Sequence, residues 1–175
     1  MFTISRFSKV LGKAVLTLAT GALVVAPLAA QSSDPERLKA AIVFNVLRFV
    51  DLPDSGRGPM VFCVSANDPA ARSFQAFSGR AVGSRTVSVR TVRNTAFNGC
   101  DVVYLGSASS RAVANASASG RLVMGDGRSF IDRGGSVGLV RMGSQIRFEI
   151  NLDAAAKSNV RISSKLIRLA ARVER

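Results

Sequence analysis

Three short, largely apolar runs, Met60 to Val64, Asp101 to Leu105 and Leu122 to Met124, most narrow what this chain can become. Each is too short for a helix, is bounded by turn residues, and suits a strand covered on both faces. Helical stretches separate them. Asn67-Asp68-Pro69 starts a short helix that carries Phe74 and Phe77 and closes at Gly79. Gly106-Ser107 opens a helix of Ala, Ser and Asn that runs through Ala118 and ends at Gly120. Strands joined through helices need crossover connections, so the expected core is a mostly parallel sheet flanked by helices. Val87 and Val89 alternate with Thr86, Ser88 and Arg90, which reads as a half-exposed strand near an edge of that sheet.

The flanking segments complete an α/β domain. Asp34-Pro35-Glu36 is a helix start, with Asp34 as cap and Pro35 in the first turn. Leu38, Ile42, Val46 and Phe49 recur on one apolar face, which Val43, Leu47 and Val50 widen until Leu52-Pro53 stops the helix. In the last third, Val137 to Met142 and Gln145 to Ile150 flank Gly143-Ser144, the signature of a C-terminal antiparallel hairpin. Ile146, Phe148 and Ile150 are expected to face inward, and Glu149 outward. Asn151 should cap a turn of helix and Asn159 should end it in a left-handed conformation. A final helix starts at Ser163 or Ser164, with Leu166, Ile167, Ala170 and Val173 inside.

Residues 1–30 do not belong to this alternation. Arg6, Lys9 and Lys13 form a positive start, Ala14 to Ala26 is a mainly apolar run, and small residues follow Pro27. These are the three parts of a cleavable secretory signal peptide. A retained membrane anchor is the alternative, but the run is short against the roughly 20 apolar residues a spanning helix needs. Cleavage after Ala30, or one or two residues later, would leave residues 31–175 as one exported domain. Losing the three basic residues takes the net charge from +13 to +10. That balance would raise nucleic acid as a partner, but the arginines are spaced singly, one Tyr and no Trp are available to stack bases, and export argues against it. An anionic envelope or acidic partner suits the surface better.

The chemistry is defined largely by what is missing. The chain has no histidine, which removes a leading metal ligand and the commonest general base. No Gly-x-Ser-x-Gly elbow occurs, and no spacing singles out a carboxylate pair, so no catalytic residues, metal ligands or cofactor are expected. Cys63 and Cys100 are an even pair, which in an oxidising compartment points to a disulfide; two buried free thiols are the alternative. Gly125-Asp126-Gly127 and Gly134-Gly135-x-x-Gly138 match no dinucleotide fingerprint and read as turns. If the three apolar strands are parallel, Asn67, Ser107 and Asp126 gather at their carboxyl ends, where open α/β sheets form ligand crevices. The same residues also serve ordinary turns and caps.

Two stretches carry a family likeness. Leu38 to Pro53, reading LKAAIVFNVLRFVDLP, resembles the opening helix of the YfiR-like family of periplasmic proteins. RFEINLDAAA (147–156) and VRISSKLIRLA (160–170) resemble its closing signature, and Cys63, Gly79 to Gly83, Gly99-Cys100-Asp101 and Gly134-Gly135 fall in order between them. The resemblance implies a compact, often dimeric α/β domain that acts as a regulator and not a catalyst. It further implies repression of an inner-membrane diguanylate cyclase through its periplasmic portion, lowering cyclic-di-GMP. A sensor kinase is a second kind of partner. Some relatives carry a second cysteine pair that this chain lacks. Within the closing signature, Glu149 is the residue expected to reach a partner.

Overall fold

Asp34 caps α1 (Pro35–Leu47) by accepting from the Glu36 amide at 3.0 Å, as the Asp-Pro-Glu start requires. The computed structural model describes residues 34–53, 58–93, 96–118 and 120–175, so the signal segment expected over residues 1–30 lies outside it. After α1 come β1 (Val50–Asp51), β2 (Met60–Ser65), α2 (Ala71–Gln75), β3 (Ala81–Val82), β4 (Arg85–Val92), β5 (Val102–Tyr104) and α3 (Ser110–Ala116). The chain continues through β6 (Leu122–Asp126), β7 (Val137–Met142), β8 (Gln145–Asn151), α4 (Leu152–Lys157), β9 (Arg161–Ile162), α5 (Ser164–Leu169) and β10 (Arg172–Glu174).

Eight strands form one sheet in the order β10-β8-β7-β6-β5-β2-β4-β3. The pairs from β4 through β2, β5 and β6 to β7 are parallel, as the crossover argument requires. The β7–β8 hairpin is antiparallel, with Gly143 at φ 62° in its turn, and β3 returns antiparallel on β4. β1 and β9 make a separate two-stranded ribbon. The fold is the expected α/β class, a mostly parallel sheet with helices and a C-terminal hairpin.

Alternate residues of each central strand feed opposite faces. Phe62, Val64, Val102, Tyr104, Leu122 and Met124 pack on one face, together with α1, α2, α4 and α5. Cys63, Val103 and Val123 turn to the other face, where Val113 and Ala116 of α3, Phe97, Cys100 and Phe130 cover them. Phe130 is fully buried, and a Cβ on Gly125 or Gly135 would collide with its ring. These two glycines therefore exist to admit an aromatic ring, while Gly127 and Gly134, at φ 99° and 93°, make the turns beside it.

Five expectations differ from the structure. α1 stops at Leu47, and Val50, read as part of its apolar face, lies in β1. Leu38 is 40% exposed, because the buried face of α1 is set by Ala40, Val43, Val46 and Leu47, one step round from the stripe through Leu38 and Ile42. α3 starts at Ser110 with Ser109 as its cap, since Gly106 at φ 58° cannot begin a helix and Ser109 Oγ accepts from the Ala112 amide. The last helix ends at Leu169, and Val173 lies instead in β10, which adds parallel to β8. Its arrival changes the position of Glu149, which is 9% exposed and not turned out to solvent.

Candidate functional site

Because β2, β5 and β6 are parallel, their carboxyl ends and the loops after them lie side by side. Tyr104, the last residue of β5, is fully buried and donates its hydroxyl to Asp126 Oδ1 at 2.5 Å. Asp126 closes β6, and its Oδ2 accepts from Lys39 Nζ of α1 at 2.9 Å. Lys39 also donates to Glu36 Oε1, one turn earlier, at 3.2 Å. Asp126 is thus the point where α1 is tied to the strand ends. Asp68, after β2, accepts from the Ala70 amide at 2.8 Å through Oδ1. A Cβ on Gly106 would run into its Oδ2, so that turn requires glycine both for its φ and for the carboxylate beside it.

The electrostatics favour binding over proton transfer. Burial, and then the nearby Asp126 carboxylate, push the Tyr104 hydroxyl far above the phenol range, so it stays a neutral donor. For Lys39, burial works toward the neutral form. The hydrogen bond and charge of Asp126, then those of Glu36, outweigh it and leave the ammonium above its ordinary value. Burial raises the Asp68 carboxyl above the usual range; the Ala70 amide opposes that shift and the charge of Asp126 adds to it. Glu36 Oε2 is buried without a hydrogen-bond partner. Beside this cluster lies a cavity of about 330 Å³ lined by Pro35, Glu36, Lys39, Ser107 and Asp126, with Leu139, Val140 and Ile146 on its apolar side. That volume suits a small ligand. Among the described residues, no group of three His, Cys, Asp or Glu is placed to hold a metal ion.

Of the three residues expected at the strand ends, Ser107 and Asp126 line this cavity. Asn67 does not; it is exposed, and its backbone amide donates to Ser65 Oγ at 3.3 Å. The residues that sequence reading missed are Glu36, Lys39, Asp68 and Tyr104. The Glu36–Lys39 spacing on a helix was a visible signal of a side-chain pair. Its convergence with Asp126, 87 positions away, was not visible.

A second polar constellation lies at the β10 edge. Arg172 Nη2 donates to Glu149 Oε2 at 3.1 Å, to Asp132 Oδ1 at 2.8 Å and to the Arg128 carbonyl at 3.0 Å. The hydrogen bonds to Glu149 and then Asp132 raise the Arg172 pKa further still. Glu149 is nearly covered, whereas the Arg172 and Asp132 side chains are 42% and 46% exposed. Whatever touches this edge meets Arg172 and Asp132 first, with Glu149 setting their geometry from below.

The cysteines form a disulfide between β2 and the turn just before β5, with Cα atoms 5.8 Å apart and a sequence separation of 37. The bridge is buried, and Arg90 Nη2 covers it, 3.4 Å from Cys63 Sγ, 3.1 Å from Cys100 Sγ and 2.6 Å from the Asn98 carbonyl it donates to.

A family model described as YfiR/HmsC-like matches residues 36–171. No curated protein matches the sequence. Among solved structures, the chain is similar to the ABC domain from Streptococcus pneumonia in complex with L-Trp, at a TM-score of 0.51 and 13% identity, covering 79% of this chain and 60% of that one. It is also similar to a conserved domain protein from Vibrio cholerae O1 biovar eltor, at a TM-score of 0.50 and 13% identity, covering 80% of this chain and 60% of the other. The chain therefore spans less than two thirds of either structure, and at this identity the likeness is one of fold.

Proposed function

Since the chain belongs to the YfiR/HmsC-like family of periplasmic regulators, we propose that it binds and represses an inner-membrane signalling enzyme, a diguanylate cyclase, and so lowers cyclic-di-GMP. The observation that carries this is the family match over residues 36–171, nearly the whole described chain. The partner contact we assign to Glu149 runs through Arg172: the buried carboxylate holds the guanidinium toward Asp132 at the sheet edge, where both remain half-exposed. A strand edge bordered by such charges suits a partner, or a second copy of this chain, better than unselective pairing.

In-cell crosslinking followed by capture tests the reading. Recovery of an inner-membrane protein with a cytoplasmic cyclase domain is expected, along with a rise in cyclic-di-GMP on deletion. A sensor kinase in its place would keep a regulatory role and replace the output. Unchanged cyclic-di-GMP after deletion of the expressed protein would overturn the cyclase assignment.

A second reading, a small-ligand sensory module, is favoured by one observation, the roughly 330 Å³ cavity that brings Ser107 and Asp126 beside Lys39 and Glu36. Two carboxylates, Glu36 and Asp126, share the lining with Lys39 and Arg141, so its ligand would present both a cationic or donor group and an acceptor. Thermal-shift screening of envelope amines, read in wild type and in Lys39→Met, separates this reading from the first.

A further inference from the structure

The last stretch of the chain carries more positive charge than its carboxylates balance. Residues 157–175 hold six basic side chains and one acidic one. On α5, Lys165, Arg168 and Leu169 stand at positions i, i+3 and i+4 and so share one face. All three are exposed, while Leu166 turns into the core. Arg147 of β8 reaches this face from the sheet, with Nη2 3.5 Å from the Leu169 carbonyl. The hairpin pairs Val140 with Arg147 and Met142 with Gln145, which makes Met142 and Arg147 diagonal neighbours on one side of it. Leu169 is 58% exposed and Met142 46%, two of the three large apolar side chains left exposed among the described residues. Among the same residues, no carboxylate lies within ion-pair distance of Arg147, Lys165 or Arg168.

We propose that Met142, Arg147, Lys165, Arg168 and Leu169 form a patch that rests on an anionic phospholipid surface, with the cations against the phosphates and the two apolar tips at the headgroup boundary. Charge comes first. Three cations on long stems, unmatched within the fold, are drawn to a leaflet that offers many mobile anions. The neighbouring Arg172 is already matched by Glu149 and Asp132 and is not counted among them. Composition comes second. A stable protein interface buries about 800 Å² on each side around aromatic and apolar anchors. Five side chains without one aromatic ring are too few for that, but they suit shallow, peripheral contact with a bilayer. Position comes third. Arg147 and Glu149 are two residues apart on the same side of β8, so the patch borders the edge where Arg172 and Asp132 are half-exposed. A chain resting on the patch would hold that edge along the membrane plane, where an inner-membrane partner emerges. The lipid contact does not rest on the cyclase reading, and vesicles free of protein test it separately.

The test is co-sedimentation of the protein, recovered from the periplasm, with vesicles of about three parts phosphatidylcholine to one part phosphatidylglycerol, and with phosphatidylcholine alone. Binding to the anionic vesicles only is expected, with its loss in about 1 M salt, where charges are screened within about 3 Å. Arg168→Ala and Lys165→Ala should each weaken it about fivefold. Leu169→Ser should weaken it by a similar factor, through the lost apolar tip. Arg111→Ala removes an equal charge from the exposed side of α3 and should leave binding unchanged. All four positions are exposed, so these variants keep the fold. The chain has no tryptophan, which makes Leu169→Trp a single reporter. Its emission should shift to the blue with anionic vesicles, and that of Arg111→Trp should not. Absent binding, equal binding to both vesicles, equal losses from Arg111→Ala and Arg168→Ala, or an unshifted Leu169→Trp emission would overturn the proposal and leave the patch to an acidic protein partner.

Discussion

The two faces of the sheet are held by different means. Among the described residues, 24 buried side chains build the face under α1, α2, α4 and α5, against nine on the face under α3. The larger face is stabilised by area, since each buried aliphatic or aromatic side chain contributes roughly 1.5–3 kcal/mol and many share the load. On the smaller face, the disulfide and one phenylalanine in a slot between glycines replace that area. A layer this thin should concentrate its stability in few residues.

The sharpest way to break the comparison is to truncate one large residue on each side. Phe130→Ala should cost about 3–5 kcal/mol in urea unfolding, because Gly125 and Gly135 leave nothing to collapse into the space. Leu47→Ala, on the larger face, should cost nearer 2–3 kcal/mol, since its neighbours have more freedom to relax. Equal losses would mean that the thin face is no more concentrated than the thick one. Next comes the bridge. Cys63→Ser and Cys100→Ser should each cost about 3–4 kcal/mol, and the double variant little more than either alone. Additive losses would show the two positions acting independently.

Smaller effects sharpen the picture at the strand ends. Tyr104→Phe removes the hydroxyl that Asp126 accepts and should cost about 1 kcal/mol, with Lys39 still satisfying the other carboxylate oxygen. Asp68→Asn should have the smallest effect and the opposite sign. The folded Asp68 carboxyl titrates above its unfolded value, so the folded state takes up its proton more readily. Wild-type stability relative to the variant should therefore fall as pH rises through the folded pKa. At neutral pH the asparagine, which keeps the acceptor for Ala70, should be the more stable. That advantage should vanish once the pH drops below about 4, the unfolded aspartate value. A difference that does not change with pH would remove the electrostatic account.

These contrasts also explain which parts were legible in the sequence. Local signals were reliable wherever one residue type performs one local task. Asp34, Asn151 and Ser163 cap the helices expected of them, Asn159 adopts φ 54°, and the central strands lie where their apolar runs placed them. The parallel order followed from the helices between strands, because that connection has few solutions. β10 escaped notice because three residues, Arg172 to Glu174, carry too little pattern to tell a strand from the last turn of a helix. Glu149 was misplaced for the same reason, since the strand that covers it had not been recognised. At the candidate site, Ser107 and Asp126 were legible from their place after strands. Lys39 and Tyr104 were not, because a helix and a strand far apart in sequence meet there, and only the tertiary fold sets that meeting.

The single bridge has a consequence for how the chain matures. Four cysteines can pair in three ways and six in fifteen, so proteins with more of them need shuffling to reach the right set. This chain has two cysteines, and both are used. Within one molecule no wrong partner exists. Oxidation has one intramolecular product, needs an electron acceptor and no isomerase, and the remaining hazard is a bond between two molecules. Its yield should therefore depend on how dilute the reduced chain is when oxidant reaches it, and not on how long it is given to rearrange.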